Sequence, residues 1–474
     1  MKKVILMLLT LLCLATVTTA LADGSCGDNL TWTLDNGTLT ISGTGATDEW
    51  APLAYAPWYS QRSRITNVVV EEGCTELGAY AFYYCTNLKT VTLPEGLRSI
   101  GKEAFSICSK LQKLTIPASV ESIGEPQFAL DRGLTSIDVA PGSQKYMSRD
   151  GALFSKDGTR LIAFPAGRTG TYTVPSGVTE LAEDAFNSSD LRSIKLPAGL
   201  TTIGETAFQY CNKIQNLTLP ASVKTIGKQA FQGGIGLSAI YVGRGSKYFS
   251  SHDGVLFNQD KTELVCFPHG AKLKTYTVPE GVRRIGDYAF VANYTLEQVI
   301  LPEGLESVGE YAFAYLNLTE LTLPASLKEI DRYGFHAQYK LESVTIPASV
   351  VTVGEDAFSY SGNLTRVTVE GMNTQFKGYT VFGFGSNALE IWGHEGSTAQ
   401  AHARLQKIDF KVIATEADTW ICPECSSTMS SNFCWKCGTS RPPKAQECKR
   451  CAYTEPEELA GQMKFCPECG TKFD

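Results

Sequence analysis

Eight of the fifteen cysteines crowd residues 422–469 as four Cys-x-x-Cys pairs: Cys422/Cys425, Cys434/Cys437, Cys448/Cys451 and Cys466/Cys469. A Cys-x-x-Cys turn brings two thiolates to one metal ion, and zinc needs two such turns to complete a tetrahedron. Glycine after the second cysteine, as in FCWKCGT (433–439) and FCPECGT (465–471), allows the bend. In sequence order, one zinc ion takes Cys422, Cys425, Cys434 and Cys437, and a second takes Cys448, Cys451, Cys466 and Cys469. Four thiolates without histidine close each site, so both ions are expected to be structural. Cys425 is followed by Ser426, and ECKRCAY (447–453) lacks proline and glycine, so the second site is expected to be less regular. The competing reading is a disulfide tail, which an oxidising compartment favours. Four successive Cys-x-x-Cys pairs suit it poorly, because bridging within a pair is strained.

The compartment matters because the chain opens like an exported protein. Lys2 and Lys3 precede an uncharged apolar run over 4–22, and Ala20-Leu21-Ala22 fits a cleavage site, making Asp23 the expected mature start. Cys13 follows Leu11 and Leu12 rather than small residues, so it belongs to the signal and not to a lipid site. An uncleaved anchor is the alternative, since such a run nearly spans a bilayer. Either way a secreted or cell-surface location is expected. Thiolate zinc sites outside the membrane call for an environment where thiols survive, or for zinc loading soon after translocation. About 50 residues are too few to fold on a core alone, so metal would hold the tail together.

Elsewhere chemistry is scarce. The sequence contains no G-x-S-x-G, phosphate loop, H-E-x-x-H or dinucleotide fingerprint, and its histidines (252, 269, 336, 394, 402) are scattered. SGTG (42–45) and FGFGS (382–386) read as glycine turns. An enzyme is not expected. A net charge of −7, or −9 once residues 1–22 and their two lysines are removed, argues against nucleic acid as a partner.

The middle of the chain is one unit repeated. IGKEAF (100–105) recurs in variant form with its second residue at 78, 101, 124, 182, 204, 227, 286, 309, 331 and 354. Each copy follows a stretch such as LKTVTLP (88–94), where Val91 and Leu93 alternate with Thr90 and Thr92 in the period of a half-buried strand. Pro94 ends that strand, and Ile100, Ala104 and Phe105 turn the chain back onto its apolar face. Gly101 suits a tight bend or a close backbone approach. One unit cannot bury enough to stand alone, so neighbours must stack into a solenoid. Two long steps accommodate DGALFSKDGTRLIAFP (150–165) and DGVLFNQDKTELVCFP (253–268), each a β-hairpin by pattern. A degraded third hairpin is expected at FKGYTVFGF (376–384). Strand segments from 65 to 369 number thirteen coils.

Cys85, Cys108 and Cys211 lie three residues after the repeat phenylalanine, where other copies carry Asp131, Ser189, Gly234, Asn293, Gln338 or Ser361. They are read as buried free thiols filling a polar turn position, although a Cys85–Cys108 bridge is geometrically possible. Cys266 matches Ala163 of the other hairpin. Cys26 and Cys74 are the better pair for a disulfide, which sequence leaves open. Exposed strand positions are mostly Thr and Ser. Tyr241 and Arg366, with Tyr146 and Tyr248 at the hairpins, break that monotony and are the candidate ligand contacts.

The repeated unit, its hairpins, the leading segment CGDNLTWTLDNGTLTISGTG (26–45) and the trailing segment LEIWGHEGSTAQAHARLQKIDFKVI (389–413) resemble the BspA-like leucine-rich repeats of secreted and surface proteins. The resemblance covers 24–413. It implies an α/β-type repeat solenoid: a curved, right-handed coil with a parallel sheet on its concave face. It also implies binding to protein or matrix. The tail over 420–473 resembles a double zinc ribbon. The expected organisation is a signal peptide (1–22), an N-terminal cap (23–64), the solenoid (65–369) with hairpins near 142–168 and 245–272, a C-terminal cap (370–415) and the double zinc ribbon (416–474). The expected partner is a protein or glycan on the concave face or hairpin tips, with no membrane span beyond an uncleaved anchor. The alternatives are an envelope scaffold whose ribbons dock another protein and, more remotely, a polysaccharide-active enzyme.

Overall fold

The computed structural model describes residues 22–413, apart from Pro52, Leu53, Gln127, Ala129 and Asn387, together with the backbone of Trp420–Ile421 and Thr428–Met429. Residues 1–21 of the expected signal peptide and all eight tail cysteines lie outside the described residues. Within them the chain winds a right-handed parallel β-solenoid of about fifteen turns.

Each turn contributes a long strand, a short strand and a return arm. The long strands are those legible in sequence. In Lys113–Ile116 the buried Leu114 and Ile116 alternate with exposed Lys113 and Thr115, and the strand pairs parallel with Ser136–Val139. Rungs from Asn67–Val70 to Arg366–Val369, including the single bridge Gln298–Glu320, number thirteen, and the cap strands extend the stack. The short strands end at the repeat isoleucine: Ser99–Ile100 pairs in register with both Cys74–Leu77 and Ser122–Ile123. Two residues are too few to show an alternation, so sequence gave no sign of this second ladder.

The return arms correct the α/β expectation. They are turns, not helices; the only α-helix among the described residues is Thr398–Gln406, in the C-terminal cap. In most arms two residues four apart adopt left-handed backbone, for example Tyr80 (φ 59°) and Tyr84 (φ 63°), which no α-helix tolerates. The arm's N–H groups instead point along the stack. Tyr80, Phe82 and Tyr84 donate to the carbonyls of Lys102, Ala104 and Ser106 at 2.9, 2.8 and 3.0 Å. Tyr333, Phe335 and Ala337 donate to Glu355, Ala357 and Ser359 at 3.0, 2.8 and 2.8 Å. Inter-coil bonds thus replace the helical ladder.

Gly101 serves a close approach. A Cβ there would lie 2.3 Å from the Ala79 nitrogen, on the backbone of the preceding coil, and Gly204, Gly227 and Gly354 are equally confined. Inside, the repeat phenylalanines form a column. Phe267, Phe290, Phe313, Phe335, Phe358 and Phe382 stack with successive centroid spacings of 5.0, 4.9, 5.0, 5.3 and 5.8 Å.

The two expected hairpins form, each with an extra strand before it. Tyr146–Arg149, Ala152–Ser155 and Arg160–Ala163 run antiparallel, and the last of them pairs parallel with Glu180–Leu181. Phe249–His252, Val255–Asn258 and Glu263–Cys266 repeat the arrangement against Arg284–Ile285. Each insertion thereby returns the chain to the short-strand ladder. The third hairpin does not form. Gln375–Phe376 is an ordinary short strand parallel to Thr352–Val353, and the Phe358 N–H donates to Val381, so FKGYTVFGF is one regular coil.

The ends of the stack are covered by different devices. An antiparallel meander, Ala22–Gly27, Leu30–Asp35 and Thr38–Gly43, joins the long-strand ladder at Asn67–Val70. Trp58 is buried beneath it, its Nε1–H donating to the Ala81 carbonyl at 2.7 Å. At the other end Ser397 caps the helix by accepting from the Gln400 N–H, and His402 stacks on Phe376 at 4.7 Å.

Candidate functional site

The polar turn position after each phenylalanine has a common task, as its residue types suggested. Cys108 Sγ donates to the Phe82 carbonyl at 3.4 Å and Cys211 Sγ to the Phe186 carbonyl at 3.0 Å, each reaching back one coil. Asn293 reaches the Pro268 carbonyl at 3.4 Å, and Gln338 reaches Phe313. Burial pushes the Cys85 and Cys211 thiols up to about 12, which keeps them protonated and unreactive at neutral pH. Cys26 and Cys74 are buried free thiols rather than a disulfide, raised by burial to about 12 and about 11. Cys266 does stand where Ala163 stands in the first hairpin: they pair with Leu256 and Leu153, respectively.

The four candidate contacts do not converge. Tyr241, on Ala239–Val242, projects into solvent from the long-strand face. Arg366, on Arg366–Val369, is several rungs away at ~4.8 Å per rung, too far to act with Tyr241 on one small ligand. Its guanidinium lies 4.4 Å above the Trp392 ring, whose Nε1–H donates to Glu390 at 3.0 Å. Tyr146 is half-buried, and its hydroxyl accepts from the Ile123 N–H at 3.0 Å where the first hairpin interrupts the short-strand ladder. Tyr248 is exposed just before the second hairpin's first strand. Among the described residues no three His, Cys, Asp or Glu side chains are grouped to hold a metal.

A denser cluster lies on the return arms, where the sequence reading named no candidate contact. Tyr288, Tyr311 and Tyr333, from consecutive coils, stack at 5.2 and 4.4 Å, and Tyr360 stacks on Phe384 at 5.1 Å. Between the two columns sits His336, edge-on to Tyr315 and Tyr333 at 5.1 and 5.3 Å. Tyr311, Tyr333, His336, Asp356, Tyr360 and Phe384 help line a cleft of about 480 Å³. Burial holds the His336 pKa below its ordinary value, so its ring is neutral at pH 7. The signal was visible as IGDYAF, VGEYAF and IDRYGF (285–335), three successive copies with tyrosine at one position.

Several solved structures are similar to parts of the chain. The chain is 24% identical to a leucine-rich cell surface protein of Faecalibacterium prausnitzii of known structure, covering 81% of this chain and 97% of that one with a TM-score of 0.46. It is 23% identical to a leucine-rich repeat protein of Eubacterium ventriosum, covering 66% and 95% with a TM-score of 0.43. The pneumococcal vaccine antigen PcpA is 19% identical, with 83% and 99% covered and a TM-score of 0.40. No curated protein matches the chain. The model of the BspA-type leucine-rich repeat region matches residues 57–169, 162–253 and 261–385 with six copies, more than half of the sequence. The chain belongs to the BspA-type leucine-rich repeat family.

Proposed function

We propose that this chain is an extracellular or cell-surface binding protein that adheres to a protein or glycan ligand and carries a tail held by two structural zinc ions. The observation that supports it most is the solenoid itself. Its interior is filled by packed phenylalanine and aliphatic side chains, while turn after turn sets side chains outward on a continuous surface, the usual arrangement of repeat binding proteins. The leader-like residues 1–22 support export. No helix among the described residues is long and apolar enough to cross a membrane. Full-length protein applied to immobilised matrix proteins and bacterial surface polymers should bind at least one of them saturably. Failure on every surface sinks the reading.

The tail is the second element. Its short antiparallel pair, Trp420–Ile421 with Thr428–Met429, brackets the first Cys-x-x-Cys pair in sequence. Metal analysis of full-length, untagged protein should find two zinc ions per chain. Oxidised cysteines without zinc would instead support the disulfide tail. Deleting 416–474 separates adhesion from scaffolding: loss of localisation with ligand binding intact favours a tail that docks an envelope partner.

A further inference from the structure

We propose that the tyrosine-lined cleft on the return arms between residues 309 and 385 binds the ring face of β-linked pyranose sugars, giving the protein a glycan site on a side of the solenoid other than its strand ladders. This rests on the reading of the chain as a binding protein and names one ligand class for it.

The first argument is the choice of residue. Tyr311, Tyr315, Tyr333, Tyr360 and Phe384 all occupy left-handed positions, with φ between 52° and 59°. The fold demands that backbone but not an aromatic: equivalent positions in earlier coils hold Asp184, Ser188, Thr206, Gln229 and Gly233 as well as Tyr80, Tyr84 and Tyr210. Bulky side chains are disfavoured there, so their concentration in neighbouring coils works against local stability, a pattern associated with functional sites.

The second is exposure. Phe384 is 70% exposed and Tyr360 51% exposed, although both belong to a stacked column. Aromatic surface left uncovered beside a cleft this large, within the ordinary range for small-ligand sites, is suited to stacking against the apolar C–H face of a sugar ring.

The third is the polar chemistry at the cleft. Ser359 Oγ donates to the Asp356 carbonyl at 3.0 Å, which uses its only hydrogen. The 2.7 Å contact between His336 Nδ1 and that Oγ therefore has Nδ1 as donor, leaving Nε2 as an acceptor. With the Asp356 carboxylate, the cleft offers acceptors for sugar hydroxyls.

Other occupants fit less well. An extended peptide needs a free backbone edge, but the N–H groups of Tyr311, Phe313, Tyr315, Tyr333, Phe335 and Ala337 all donate to the next coil. An organic cation would meet the Arg332 guanidinium, already 5.2 Å from the Tyr333 ring.

Calorimetric titration of the full-length protein with cellopentaose and chitopentaose tests this. At least one should bind saturably. Tyr360→Ala and Tyr333→Ala should each weaken it about tenfold or more, Tyr360→Phe should retain binding, and Tyr241→Ala should leave it unchanged. A thermal melt checks that each variant folds; a variant that does not is replaced by Phe384→Ala, whose side chain is largely exposed. Absence of binding by both sugars up to about 10 mM overturns the proposal, as does binding indifferent to Tyr360→Ala and Phe384→Ala. If the protein binds immobilised surface components but neither sugar, the glycan site fails while the binding-protein reading stands.

Discussion

Phe313→Ala should destabilise the solenoid by about 3–5 kcal/mol, the range for removing a buried aromatic ring. Phe313 is fully buried, with Phe290 at 4.9 Å on one side and Phe335 at 5.0 Å and 1° on the other. The surroundings cannot close over the gap, because the backbone fixes the coil spacing: Phe290 N–H to Ala312 and Phe313 N–H to Gly334 are both 2.8 Å bonds. The cost should therefore approach that of an unrelaxed cavity. Each coil is stabilised chiefly by its neighbours, so weakening one internal interface should also partly uncouple the coils on either side. Urea unfolding should show an earlier midpoint and a broader or split transition. Phe382→Ala, at the last member of the column and packed on the cap, should cost less. A loss below about 1 kcal/mol at Phe313 with an unchanged transition would contradict a core held together by this column.

What sequence could reveal depended on how long a signal each element leaves. Four-residue strands such as Lys113–Ile116 show their alternation, and Phe105 recurs at a fixed offset, so the stacking and the buried column were both legible. The hairpins were legible because each has two apolar runs about a polar turn. The short-strand ladder was not, since Ser99–Ile100 is too brief to have a period. Nor was the absence of helix from the return arms. Left-handed backbone usually announces itself through Gly or Asn, whereas here Tyr80 and Tyr333 adopt it because three inter-coil hydrogen bonds in each of their arms hold them there. The return-arm tyrosines were hidden for the same reason. The direction of a tyrosine on an arm follows from that backbone conformation, whereas the exposure of Tyr241 and Arg366 follows from strand alternation alone. FKGYTVFGF misled because a regular coil with two glycines and three phenylalanines mimics two runs around a turn.

Asp131→Asn should stabilise the protein at pH 7.5 by about 1–3 kcal/mol, the cost of an unsatisfied buried polar atom, and the gain should vanish on acidification. Asp131 occupies the polar turn position and is completely buried. Its Oδ1 accepts from the Cys108 N–H, but its Oδ2 has no hydrogen-bond partner. Burial raises its pKa well above the ordinary carboxylate value, so the folded chain retains a proton that the unfolded chain releases above about pH 4. Between that pH and the folded-state pKa the folded chain binds more protons, and stability must fall as pH rises. An amide carries no such proton, and it supplies at all pH values the N–H donor that Asn293 uses at the equivalent position toward the Pro268 carbonyl. At pH 4 the neutral carboxyl of Asp131 and the amide of the variant are nearly equivalent, so their unfolding midpoints should converge there and separate steadily towards pH 7.5. A gap independent of pH, or a less stable variant at pH 7.5, would mean that Asp131 is ionised in the folded chain and held by a partner this geometry does not contain.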